Sequence, residues 1–148
     1  MTITSERDCD MNKHLIFVYG TLRRDCGGIK IQGEYRGCDV ISGTLYDLGW
    51  YPGIRDVPDD FVTHFWDNEG NVLGEVYEID DEELARLDMY EGCGPNPELV
   101  DSGLYYRKQT RTFRGLTVWV YVYSDAPSAD DRIYNGDWFW HSKMKEAS

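Results

Sequence analysis

Between Leu116 and Tyr123 the chain alternates valines with aromatic rings, so that an extended strand would carry Val118, Val120 and Val122 on one side and Trp119, Tyr121 and Tyr123 on the other. A strand with one wet face would show polar residues at every second position. Here both faces have to be covered, which points to a small closed or strongly curled sheet.

The remaining segments fit a sheet-rich domain. His14 to Tyr19 is a nearly continuous apolar run stopped by Gly20, and its β-branched and aromatic content predicts a buried strand. Ile41 to Asp47 alternates and ends near Gly49, with Tyr51-Pro52-Gly53 beyond it as a turn signal. Phe61 to Trp66 and Val72 to Ile79, joined across Asp67 to Asn71, read as a hairpin, and Arg107 to Phe113 with Leu116 to Tyr123 as a second one turning at Arg114-Gly115. Asp80-Asp81-Glu82-Glu83 opens a helix, because acids in the first turn complement the positive end of its dipole, and Leu84, Leu87 and Met89 supply apolar positions. The class is therefore α+β: a small mixed, barrel-like sheet with flanking helices.

At 148 residues the chain has the size of one ordinary domain, enough to bury roughly two-thirds of its unfolded surface. No linker, repeat or low-complexity run divides it, so one domain is expected over residues 14–142, with loose ends at 1–13 and 143–148. A net charge of -12 repels phosphate backbones and anionic lipid, which argues against nucleic acid as a partner. No segment approaches the roughly 20 apolar residues that cross a bilayer. Cys9, Cys26, Cys38 and Cys93 form no C-x-x-C pair and have no histidine at ligand spacing, so no metal is expected. Residues 1–12 contain no apolar signal core, and a cytoplasmic protein with free thiols follows as the expectation.

Three stretches carry possible chemistry. Val18-Tyr19-Gly20-Thr21-Leu22-Arg23 ends the first strand, where successive backbone N–H groups can form an anion cradle; it also reads as an ordinary strand-ending turn. Leu87-Asp88-Met89-Tyr90-Glu91-Gly92 puts Glu91 just past a helix, where the dipole disfavours a carboxylate; the alternative is a solvated surface acid. In Leu104-Tyr105-Tyr106-Arg107 a tyrosine hydroxyl and a guanidinium can hold a ligand, or simply pack and face outward. There is no G-x-S-x-G, no G-x-G-x-x-G and no phosphate loop, and His64 and His141 stand isolated in the sequence.

Together these pieces resemble the γ-glutamyl cyclotransferase superfamily, and more closely its short γ-glutamylamine cyclotransferase and AIG2-like branch. Besides the three stretches above, the matching segments are Gly43-Thr44-Leu45-Tyr46-Asp47, Tyr51-Pro52-Gly53, Gly74-Glu75-Val76-Tyr77, Val120-Tyr121-Val122-Tyr123 and Asn135-Gly136-Asp137-Trp138. They run in family order from about residue 15 to 140. The resemblance implies a ligand cavity at the mouth of a barrel-like sheet and a small-molecule γ-glutamyl substrate, with no metal or organic cofactor. It also implies that Tyr19, Gly20, Thr21 and Leu22 hold the glutamyl group, that Glu91 is the catalytic acid/base, and that Tyr105 lines the cavity. The implied reaction releases 5-oxoproline and a free amine. Arg24-Asp25-Cys26-Gly27-Gly28 departs from the pattern, which leaves the amine open, and a non-catalytic binding or signalling module on the same fold is the rival reading.

Overall fold

The computed structural model describes residues 13–20, 30–49, 51–62, 70–90 and 105–147. In chain order its elements are β1 (Lys13–Val18), β2 (Glu34–Ser42), β3 (Thr44–Asp47), β4 (Pro52–Arg55), β5 (Asn71–Asp80), α1 (Asp81–Tyr90), β6 (Tyr105–Arg111), β7 (Thr117–Tyr123), β8 (Arg132–Ile133) and α2 (Trp138–Ala147). Five strands form one sheet in the order β2-β5-β1-β7-β6, and three form a second in the order β4-β3-β8. The larger sheet is mixed, because β1 runs antiparallel to β5 and parallel to β7. It is an open sheet rather than a closed barrel.

The alternation in β7 works as its sequence requires. Val118, Val120 and Val122 pack with Phe17, Val72 and Val76 against Leu45 and Ile54 of the smaller sheet and Trp138 of α2. Tyr121 faces the other way, with Ile16, Val18 and Tyr77, and meets Leu84 and Leu87 of α1. Both faces are dry because a sheet covers one and a helix the other.

Three expectations change. Of the first expected hairpin, β5 forms and pairs with β1 and β2, while the strand expected at 61–66 is described only at Phe61 and Val62, which lie outside any strand; its remaining residues fall outside the described ones. Tyr51-Pro52-Gly53 is not a free turn, since β4 begins at Pro52. β4 is the edge of its sheet, where a proline costs no ladder bond. In α1, 3.6 residues per turn place Asp88 beside Leu84 on the buried face, while Met89 is exposed. The end expected to be loose from Lys143 is helical to Ala147, and α2 is started by Asp137, whose carboxylate accepts from Trp140 N–H at 3.3 Å.

Asp80 caps the start of α1. Asp80 Oδ1 accepts from Glu83 N–H at 2.8 Å. Glu83, itself buried, accepts from Gln32 N–H at 2.6 Å, and Arg86 donates to Lys30 O at 2.8 Å. The chain entering β2 is thereby fastened to α1.

Candidate active site

Tyr19 and Gly20 follow β1, the central strand of the larger sheet. The Tyr19 hydroxyl donates to the Tyr121 carbonyl at 2.5 Å and accepts from Ile54 N–H at 3.3 Å, so it joins β1, β7 and β4. A Cβ on Gly20 would lie 2.5 Å from Pro52 Cγ and 2.9 Å from Pro52 Cδ. Gly20 is not among the positive-φ glycines; the close approach to the proline ring is what excludes a side chain. Tyr105 opens β6, is buried, and donates its hydroxyl to the Pro52 carbonyl at 2.6 Å, with its ring edge-on to Tyr123. Three residues singled out from sequence, Tyr19, Gly20 and Tyr105, thus converge on the start of β4.

On the α1 side of the larger sheet lies a polar group of which sequence inspection gave a role only to Arg107. Tyr121 donates its hydroxyl to Asp88 Oδ1 at 2.8 Å. Arg107 Nε stands 3.0 Å from the same oxygen, an ion pair whose N–H is not aligned for a hydrogen bond, and its guanidinium rests on the Trp119 ring at 4.3 Å. Glu75, only 3% exposed, pairs in register with Val18 and accepts from Tyr77 at 3.3 Å. Because Glu75 and Tyr77 are two apart on β5, they share one face, the face that α1 covers. Two buried carboxylates, one guanidinium and several tyrosine hydroxyls therefore line this side. Buried carboxylates need such donors.

Thr21, Leu22 and Glu91 lie outside the described residues. Gly20 and Tyr90, their immediate neighbours in the chain, are described, as is Asp88 three residues before Glu91. Cys38 carries an exposed free thiol, while Cys9, Cys26 and Cys93 fall outside the described residues. Among the described residues no group of three or more His, Cys, Asp or Glu side chains is placed to hold a metal ion. No described helix is long and apolar enough to cross a membrane.

A second charged cluster sits beneath α2. His141, isolated in sequence, pairs with Asp47 Oδ2 at 2.9 Å, and Lys145 reaches the same oxygen at 2.8 Å. Partial burial pushes the Asp47 carboxyl up, but the bonds from Lys145, His141 and Gly49 N–H together outweigh it and hold the group below the usual carboxylate range. An open cleft of about 500 Å³ adjoins this cluster and is bordered by Tyr51, Tyr123 and Asp131.

The chain resembles known proteins over most of its length. The family model described as "Gamma-glutamyl cyclotransferase, AIG2-like" matches residues 16–139. The Escherichia coli K12 protein called gamma-glutamylcyclotransferase family protein YtfP is 34% identical over 134 residues, covering 86% of this chain and 98% of its own. A rat gamma-glutamylaminecyclotransferase is 30% identical over 137 residues, covering 80% of this chain and 83% of its own. In fold, the crystal structure of a mouse AIG2-like protein superimposes with a TM-score of 0.63 at 24% identity, covering 86% of this chain and 88% of that one.

Proposed function

This chain belongs to the gamma-glutamyl cyclotransferase, AIG2-like family, and on that footing we propose that it releases 5-oxoproline and a free amine from a γ-glutamyl amine or peptide, with Glu91 as acid/base. The α-amine nitrogen attacks the δ-carbonyl carbon of its own γ-glutamyl group, a five-membered ring closes, and the bond to the departing amine breaks. Internal attack already supplies much of the required proximity. What remains is proton transfer: the ammonium gives up a proton before attack, and the departing nitrogen receives one. A single carboxylate at Glu91 serves both steps.

The observation that carries this reading is the convergence of Tyr19, Gly20 and Tyr105 on one edge strand at the end of β1. In this reading the backbone donors from Tyr19 through Leu22 hold the substrate carboxylate, and the Tyr105 ring forms a wall. The relatives' names speak for an enzyme over a non-catalytic binding module.

The test is a screen of γ-glutamyl amines, γ-glutamyl dipeptides and glutathione for 5-oxoproline by mass spectrometry, with wild type and Glu91→Gln compared. Glutamine keeps the shape and removes the proton acceptor, so turnover should fall on the order of 10² to 10⁴. Binding of 5-oxoproline should survive. Near-normal turnover in Glu91→Gln would return Glu91 to the status of a surface acid.

A further inference from the structure

Tyr121 is tied to both halves of the proposed site by two different parts of the same residue. Its backbone carbonyl accepts from the Tyr19 hydroxyl at 2.5 Å, immediately before Gly20, and its own hydroxyl donates to Asp88 at 2.8 Å, three residues before Glu91. It is 3% exposed, so water does not substitute for either bond. From this geometry we infer that Tyr121 is a positioning residue that sets the last turn of α1, and with it the approach to Glu91, relative to the substrate cradle after β1. The inference rests on the cyclotransferase reading given above.

The reasons are physical. Tyr121 sits on β7, one strand away from β1 in the sheet, so its backbone is fixed by the ladder. From that fixed backbone the phenol crosses to the helix. Asp88 gains from Tyr121 a neutral donor and from Arg107 a charge, and both come from the same sheet, on adjacent strands β7 and β6. α1 is held at its first turn by the Asp80 and Glu83 bonds and near its end by Asp88. Removing the phenol oxygen weakens the second point, leaving Arg107 on Asp88, while the first point and the carbonyl bond to Tyr19 stay untouched.

That separation gives a kinetic signature. In Tyr121→Phe the cradle is intact but the acid/base is misplaced: kcat should fall about 10- to 100-fold, because small displacements of a reacting group are costly. KM, and Kd for 5-oxoproline measured by calorimetry, should stay within about twofold. In Tyr19→Phe the two bonds to Tyr121 and Ile54 beside the cradle are lost, and Kd for 5-oxoproline should rise about three- to tenfold, which is the worth of about one of them. Asp88→Asn keeps an acceptor for the phenol and should retain more turnover than Asp88→Ala. If Tyr121 and Asp88 act as one unit, adding Tyr121→Phe to Asp88→Ala should lower kcat little further. Melting curves confirm that each variant is folded. A folded Tyr121→Phe with kcat within twofold of wild type, or with kcat unchanged and KM raised, overturns the inference while leaving the cyclotransferase reading intact. A wild-type chain that yields no 5-oxoproline from any γ-glutamyl substrate overturns the reading itself, and this inference with it.

Discussion

Gly20→Ala tests the packing at the end of β1 directly. The new Cβ would sit 2.5 Å from Pro52 Cγ and 2.9 Å from Cδ, whereas two carbons rest comfortably at about 3.5–4.0 Å, so something retreats by roughly 1 Å. Neither partner yields easily. The pyrrolidine is a closed ring with a fixed φ, its carbonyl holds Tyr105 at 2.6 Å, and its residue pairs with Asp47 in the β3–β4 ladder. Overpacking of a rigid site costs about 1–3 kcal/mol, and the upper half of that range is expected here. Pro52→Ala removes both offending carbons and leaves the nearest remaining one, Cβ, at 4.0 Å. Gly20→Ala made in that background should therefore cost no more than about 0.5 kcal/mol, giving a coupling of about 1.5–2.5 kcal/mol. Urea unfolding followed by tryptophan fluorescence measures all four corners of the cycle. Costs that simply add within about 0.5 kcal/mol would refute the contact. In the single variant 5-oxoproline binding should weaken as well, because the strain is released beside the cradle.

Two further outcomes are expected. Asp47 has its carboxyl held below its ordinary value in the folded chain, so its contribution is full above the unfolded value near about 3.9 and is lost as pH falls through the folded one. The stability gap between wild type and Asp47→Asn, read as urea midpoints, should be largest above about pH 5 and shrink below about pH 4; a gap that does not shrink in acid contradicts the assignment. Prolonged dialysis against a chelator should leave 5-oxoproline release unchanged, since ring closure calls for no Lewis acid; loss of activity restored by zinc is the contrary result.

What the sequence disclosed was whatever depends on near neighbours. The two-sided alternation of β7 and the acidic start of α1 are local patterns, and both elements stand where those patterns put them. The expected pairing of β5 with the segment before it is replaced by β1 and β2, both distant in sequence, and no local pattern announces either partner. α2 was missed because its signal is a single capping residue, Asp137, ahead of a short and weakly periodic segment. At the site, Tyr19, Gly20 and Tyr105 could be picked from their motifs, but not their common partner. Pro52 looked like a turn former, and only the tertiary fold brings its ring to Gly20 and its carbonyl to Tyr105. The bond between Tyr121 and Asp88 spans 33 residues, and nothing in either local pattern announces it. Asp88 did carry one overlooked clue: it is a charged residue on the helix face shared by Leu84 and Leu87, where an unpaired carboxylate would be costly.

The placement of β1 also bears on how the chain is made. Domains are synthesised from the N-terminus, and β1 comes first among the described elements, yet its two neighbours in the sheet are β5 and β7, whose residues run to Asp80 and Tyr123. The strand that leads to Tyr19 and Gly20 therefore waits for its first neighbour until Asp80 and for its second until Tyr123. Pairings across such separations have to be closed before they are rewarded, which slows folding. A nascent chain halted before β7 would present the Ile16-Phe17-Val18 run of β1 with only one of its two native neighbours, the condition in which strands pair with the wrong chain.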